Sequence, residues 1–106
     1  MNFEYVVAVL VPVAYVELAA AEAARLSGNL DDASSDFFSR RVVDDQDTET
    51  HKLAVVSVTG DVMNELPALT QAFPGSDWAL YMLVGHRTPL LDLTDWLFQK
   101  GLQLPE

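Results

Sequence analysis

Hydrophobic residues gather in three segments, Tyr5–Val13, Leu53–Val58 and Trp78–Gly85, that scarcely alternate at the two-residue period of a strand. A strand with one wet face alternates; one that is apolar on both faces belongs to a sheet covered on both sides. A two-layer domain covers only one face. The pattern therefore calls for a second cover: an extra helix, a second subunit or a ligand.

Between these strands the pattern changes period. Val16–Leu26 is rich in alanine and stops at Ser27-Gly28, which predicts a helix with Val16, Ala20, Ala23 and Ala24 on one face. Asn29–Asp36 reads as a loop. Phe37–Val43 reads as a strand that sets Phe38 and Val42 against the more polar Ser39 and Arg41, and its arginines place it at a sheet edge. An acidic hairpin, Asp44–Thr50, leads into a strand His51–Thr59. Asp61 is then expected to cap a helix Val62–Ala72 with a Val62, Leu66, Leu69, Phe73 stripe and a start disturbed by Pro67. Trp78–Val84 is the fourth strand. Thr88-Pro89 has the form of a helix start, which predicts a last helix running to about Lys100 and stopping at Gly101. Leu90, Leu91, Leu93, Trp96, Leu97 and Phe98 occupy more than one stripe of it, as in a helix buried on more than one side.

The order β-α-β-β-α-β plus a helix is that of a ferredoxin-like α+β two-layer sandwich forming a single domain over residues 1–106. The expected sheet is antiparallel with spatial order 4-1-3-2. Right-handed crossovers put the first and third strands in its centre, where these two are read as parallel to each other. The apolar second face makes homodimerisation, through the sheet or the last helix, the natural expectation, with Leu91, Trp96 and Phe98 as interface candidates.

Charge narrows the partners. Sixteen acidic against six basic side chains give a formal net charge of −10, which disfavours phosphate backbones and anionic membranes and suits simple solubility first, or else a basic protein partner or a cation. The chain has no cysteine, hence no disulfide framework, thiolate metal site or thiol nucleophile, and this fits a reducing cytoplasm. The Tyr5–Ala14 run is followed by the charged stretch Glu17–Arg25, has Glu4 where a leader would be basic, and is shorter than the roughly 20 residues of a spanning helix. It is read as a strand of a soluble protein.

Residues able to do chemistry are few. In the expected topology His51, His86, Glu4 and Arg87 meet at one end of the sheet beside Asp44, Asp45, Asp47 and Glu49. The two histidines would stand roughly 10 Å apart, two strand spacings. A His/carboxylate metal site or a general base with an acidic partner is the chemistry such a group could support, against the simpler and preferred reading of two surface histidines. Asp45-x-Asp47-x-Glu49 starts like a calcium loop, but Thr50 replaces the turn glycine and Val56 the bidentate glutamate, so it reads as a solvated hairpin tip. Gly60-Asp61 lacks the glycines of a phosphate loop, Ser34, Ser35 and Ser57 lack the elbow of a serine hydrolase, and Arg40-Arg41 serves to neutralise neighbouring acids. Tyr5, Tyr81, Trp78 and Trp96 form an aromatic set suited to the core, a dimer seam or a small-ligand pocket. No metal or cofactor is expected.

From about Glu17 onward the hairpin ending in Thr50-His51, the helix after Gly60-Asp61 and the closing Gly101-Leu102-Gln103 resemble a set of small phage- or prophage-encoded proteins of unknown function. Those often carry Trp-Gly after the Thr-His, where this chain has Lys52-Leu53. The resemblance implies an accessory protein and brings no activity. Three functions remain open: a non-enzymatic interaction module, a small-ligand-binding regulatory domain, and a small dimeric enzyme using His51 or His86.

Overall fold

A computed structural model describes residues 4–26, 38, 40–83, 88–89 and 92–105. The chain is α+β, built on one antiparallel sheet. Its strands are β1 (Glu4–Pro12), β2 (Arg40–Val43), β3 (Glu49–Thr59), β4 (Asp77–Leu83) and a two-residue β5 (Thr88–Pro89), and its helices are α1 (Val16–Leu26), α2 (Gly60–Ala72) and α3 (Leu93–Gln99). A short 3-10 turn, Val13–Tyr15, joins β1 to α1 after Pro12. The spatial order is β2-β3-β1-β4-β5. Read from β4 to β2, the four longer strands run 4-1-3-2.

One expectation is corrected by the register. β1 and β3 are antiparallel: Glu4 lies opposite Thr59 and Pro12 opposite His51. The reason is mechanical. The α1 crossover returns the chain so that β2 runs with β1, and the β2–β3 hairpin then reverses it, so β3 must run against β1.

β1 is the centre of the molecule, and its alternation serves two dry faces. Val7, Val9 and Val11 lie in one core with Ala19 of α1 and Val62, Leu66 and Leu69 of α2. Ala8 and Leu10 lie in a second core with Val42, Leu53, Leu93, Trp96 and Leu97. The second face is thus covered, within the chain, by α3 and by Leu102 and Leu104 of the C-terminal tail.

Several boundaries differ from expectation. Thr88-Pro89 is not a helix start but an edge strand paired with Met82 and Leu83, a place where proline's missing N–H is tolerated. The helix starts at Leu93, capped by Asp92, whose carboxylate accepts from the N–H groups of Thr94 (2.8 Å) and Asp95 (3.2 Å). Likewise Asp61 is not the cap of α2; Thr59 holds that position without a side-chain bond, and Asp61 lies in the first turn, where its charge still favours the helix. Pro67 sits inside a continuous α2 on its exposed side. Phe38 and Val42 do not share a face: Phe38 joins the α1/α2 core and Val42 the α3 core.

α3 stops as the sequence indicates. Gly101 takes a positive φ of 74°, its N–H bonds to the Phe98 carbonyl (2.9 Å), and the Leu102 N–H reaches back to the Leu97 carbonyl (2.9 Å). This is a Schellman cap, and it turns the chain so that Leu102 and Leu104 fold onto the second core. Gln103 then exchanges two 3.0 Å backbone bonds with Val43, covering part of the outer edge of β2. Continuing that register would set Pro105 against Arg41, and a proline has no N–H to extend the ladder.

Leu97→Ala should therefore cost about 2–5 kcal/mol in urea unfolding, the usual range for emptying a packed leucine site. Gly101→Ala should cost roughly 1–2 kcal/mol through the left-handed backbone alone, since a Cβ there would meet nothing within 4 Å. An unchanged unfolding midpoint for Leu97→Ala would mean that α3 does not belong to the cooperative core.

Candidate functional site

The register separates the residues that were expected to meet. His51 stands opposite Pro12, at the end of the sheet remote from Glu4. Leu83, the last residue of β4, pairs with Tyr5 at the Glu4 end. The eight-residue span between Glu4 and Pro12 is roughly 27 Å of strand. Having β1 and β3 antiparallel is what moves His51 away. His86, Arg87 and Leu91 lie outside the described residues.

The acidic hairpin is close to His51 in sequence but folds upon itself. The Asp44 carboxylate accepts from the N–H groups of Gln46 (2.8 Å) and Thr48 (3.0 Å), and Asp47 adopts a left-handed backbone with φ 61°. Arg41 Nε donates to Glu49 at 2.8 Å, and Lys52 lies 3.6 Å from the same carboxylate. The Arg41 contact holds the Glu49 carboxyl below its ordinary value. Among the described residues, no three His, Asp or Glu side chains converge as they would to hold a metal ion.

The aromatic set is divided by the sheet. Tyr5 and Trp78 pack on the α1/α2 core, whereas Tyr81 and Trp96 belong to the α3 core. They cannot line one pocket. Trp96 is 7 % exposed, so it is spent on folding rather than offered as an interface.

What the fold does assemble lies around α3 and has two parts. The first is a polar corner at the Pro12 end. Lys100, following α3, pairs with Asp77 of β4 and places its ammonium 5.4 Å from the centre of the Trp96 ring. Asp77 also accepts from the Trp78 N–H at 2.8 Å. These contacts fasten the C-terminal end of α3 to β4. His51 is half-buried, with its Nδ1 2.8 Å from Thr50 Oγ1. Burial pulls its pKa below the ordinary 6.5, a hydrogen bond with the Gly75 backbone opposes that, and the Lys100 charge adds to the lowering. Among the described residues, Asp77 is engaged by Lys100 and the side-chain partner of His51 is the Thr50 hydroxyl rather than a carboxylate.

The second part is apolar. Phe98 is 80 % exposed, the largest exposure among the large hydrophobic side chains described. It lines a groove of about 280 Å³ with Thr94, Leu97, Leu102, Gln103 and Leu104. Of the two interface candidates among the described residues, Trp96 and Phe98, Phe98 is the one that reaches solvent. The roles of Leu102 and Leu104 were not read from the sequence; the apolar spacing after Gly101 was the only signal for them.

No family model, curated protein or solved structure matches this chain. Among the described residues, no helix is long and apolar enough to cross a membrane.

The lowered His51 pKa has a fixed sign. The unfolded chain takes up a proton below pH 6.5 that the folded chain resists, so this residue's contribution is intact above 6.5 and declines as pH falls below it. The urea midpoint of the wild type should fall between pH 7.5 and 5.5 more steeply than that of His51→Gln. Glu49 acts in a separate window, below its ordinary 4.5. Parallel profiles for wild type and His51→Gln would rule the assignment out.

Proposed function

We propose that this chain is a non-enzymatic protein-interaction module: an acidic, ferredoxin-like domain of the cytoplasm that engages a partner through the outward surface of α3 and the tail behind it. The 4-1-3-2 order of the longer strands supports that fold description, with β5 and α3 as additions to it.

The observation carrying the reading is Phe98. The other large apolar side chains of α3, Leu93, Trp96 and Leu97, are buried, yet Phe98 remains in water beside an apolar groove. Burying such a side chain is worth about 1.5–3 kcal/mol, a gain that folding alone leaves unused. The sheet no longer requires a second subunit, because α3 and the tail occupy its second face. The resemblance to phage-encoded proteins agrees with an accessory role through binding. A ligand pocket lined by Tyr5, Tyr81, Trp78 and Trp96 loses support from their separation, and among the described residues His51 is met by the Thr50 hydroxyl rather than by a carboxylate.

Immobilised wild-type chain should retain, from a lysate of its source cells, protein that Phe98→Ser does not. Leu18→Ser serves as control, since Leu18 is a 60 % exposed leucine on α1, in the layer across the sheet. Equal recovery by all three chains, or none above bare resin, would count against the reading.

A further inference from the structure

Resting on that reading, we infer that the occupant of the Phe98 groove is a basic segment of another protein, an apolar anchor flanked by lysine or arginine.

The groove is small. At about 280 Å³ it lies just under the size of sites that enclose a drug-sized molecule, and it suits an anchoring side chain better than a broad flat surface. It shares Gln103 and Leu104 with a second, wider depression of about 650 Å³ that runs past Val43 to Asp47. An extended segment with one buried anchor fits this outline.

The rim decides the charge of the segment. Asp92 and Asp95 are exposed at the start of α3, and Asp47 is exposed on the hairpin beyond the tail. At about 100° per residue, Asp95 and Thr94 flank Phe98 on the helix surface. Among the described cations, Lys100 pairs with Asp77, and Arg41 and Lys52 share the one carboxylate of Glu49. Asp92 and Asp95 thus stand at the start of the helix that carries Phe98, and Asp47 lines the adjoining depression, on a chain whose net charge is −10. Basic residues flanking the anchor would find complementary charge at each end of the groove, which promotes encounter and sets orientation.

A second copy is the poorer occupant. A twofold dimer sets the same patch against itself, so acidic rim would meet acidic rim. Like charges facing across an interface oppose association.

The probe is a labelled twelve-residue peptide with two central leucines flanked by lysines, titrated with the full chain and followed by fluorescence anisotropy. Two companion peptides replace the lysines by glutamates or the leucines by serines. The lysine–leucine peptide should bind, and binding should weaken with added salt. Phe98→Ser should weaken it at least about tenfold, as loss of an anchor does. The pair Asp95→Asn and Asp47→Asn should weaken it several-fold; both keep side-chain shape, and Asn tolerates the left-handed backbone at 47. Leu18→Ser should have no effect.

Equal binding of the glutamate peptide, no binding of the lysine–leucine peptide, or indifference to Phe98→Ser would overturn the inference. Sedimentation showing a wild-type dimer that Phe98→Ser dissolves would assign the groove to a second copy instead. If the peptide fails while lysate capture still depends on Phe98, the interaction reading stands and only the partner's chemistry is wrong.

Discussion

Two dry faces on one strand constrain everything else in this molecule. β1 sends Val7, Val9 and Val11 to one side and Ala8 and Leu10 to the other, and all five are at most 1 % exposed. With both faces apolar, neither can be left to water at roughly 25 cal/mol per Å². The crossover helices serve one side, α1 bringing its small Ala19 and Ala23 against the sheet. The other side depends on the last fourteen described residues. A seven-residue helix such as α3 is too short to persist in water on propensity alone. It holds because Leu93, Trp96 and Leu97 dock on Leu10 and Leu53, because Asp92 caps its start, and because the Gly101 turn brings the tail down beside it.

That dependence explains which features were legible in the sequence. The unalternating strands demanded a second cover, and hydrophobic burial is non-directional, so the need could be read without knowing the provider. The α1 and α2 stripes followed from helical spacing, and Gly101 from the conformational freedom its turn requires. Strand direction was harder, since it depends on how many times the chain reverses. Miscounting the β2–β3 reversal put His51 at the wrong end of the sheet and built a histidine cluster from it. Thr88-Pro89 was misread because a proline after threonine suits a helix start and an edge strand equally. Only pairing with Met82 and Leu83 decides between them, and pairing is a long-range fact.

The aromatic set failed for a related reason. Composition gathers Tyr5, Tyr81, Trp78 and Trp96 into one group, but parity along a strand sends neighbours to opposite faces. Trp78 pairs with Val9 and takes its face. Tyr81, three residues further on, falls on the opposite face with Ala79 by the same alternation.

The exposure of Phe98 follows from the same geometry that buries its neighbours. At about 100° per residue, Trp96, Leu93 and Leu97 span an arc of roughly 100°, the width of one buried stripe. Phe98 falls about another 100° beyond Leu97 and cannot reach the sheet while those three do. Rotating α3 to bury it would withdraw Trp96, which Lys100 holds from the far side by its contact with the ring and its pairing with Asp77. Folding thus fixes Phe98 outward, and no rearrangement of the helix within this core satisfies it. An apolar ring that the fold cannot hide, beside a groove formed by the turn that completes the core, is a surface that only another molecule can cover.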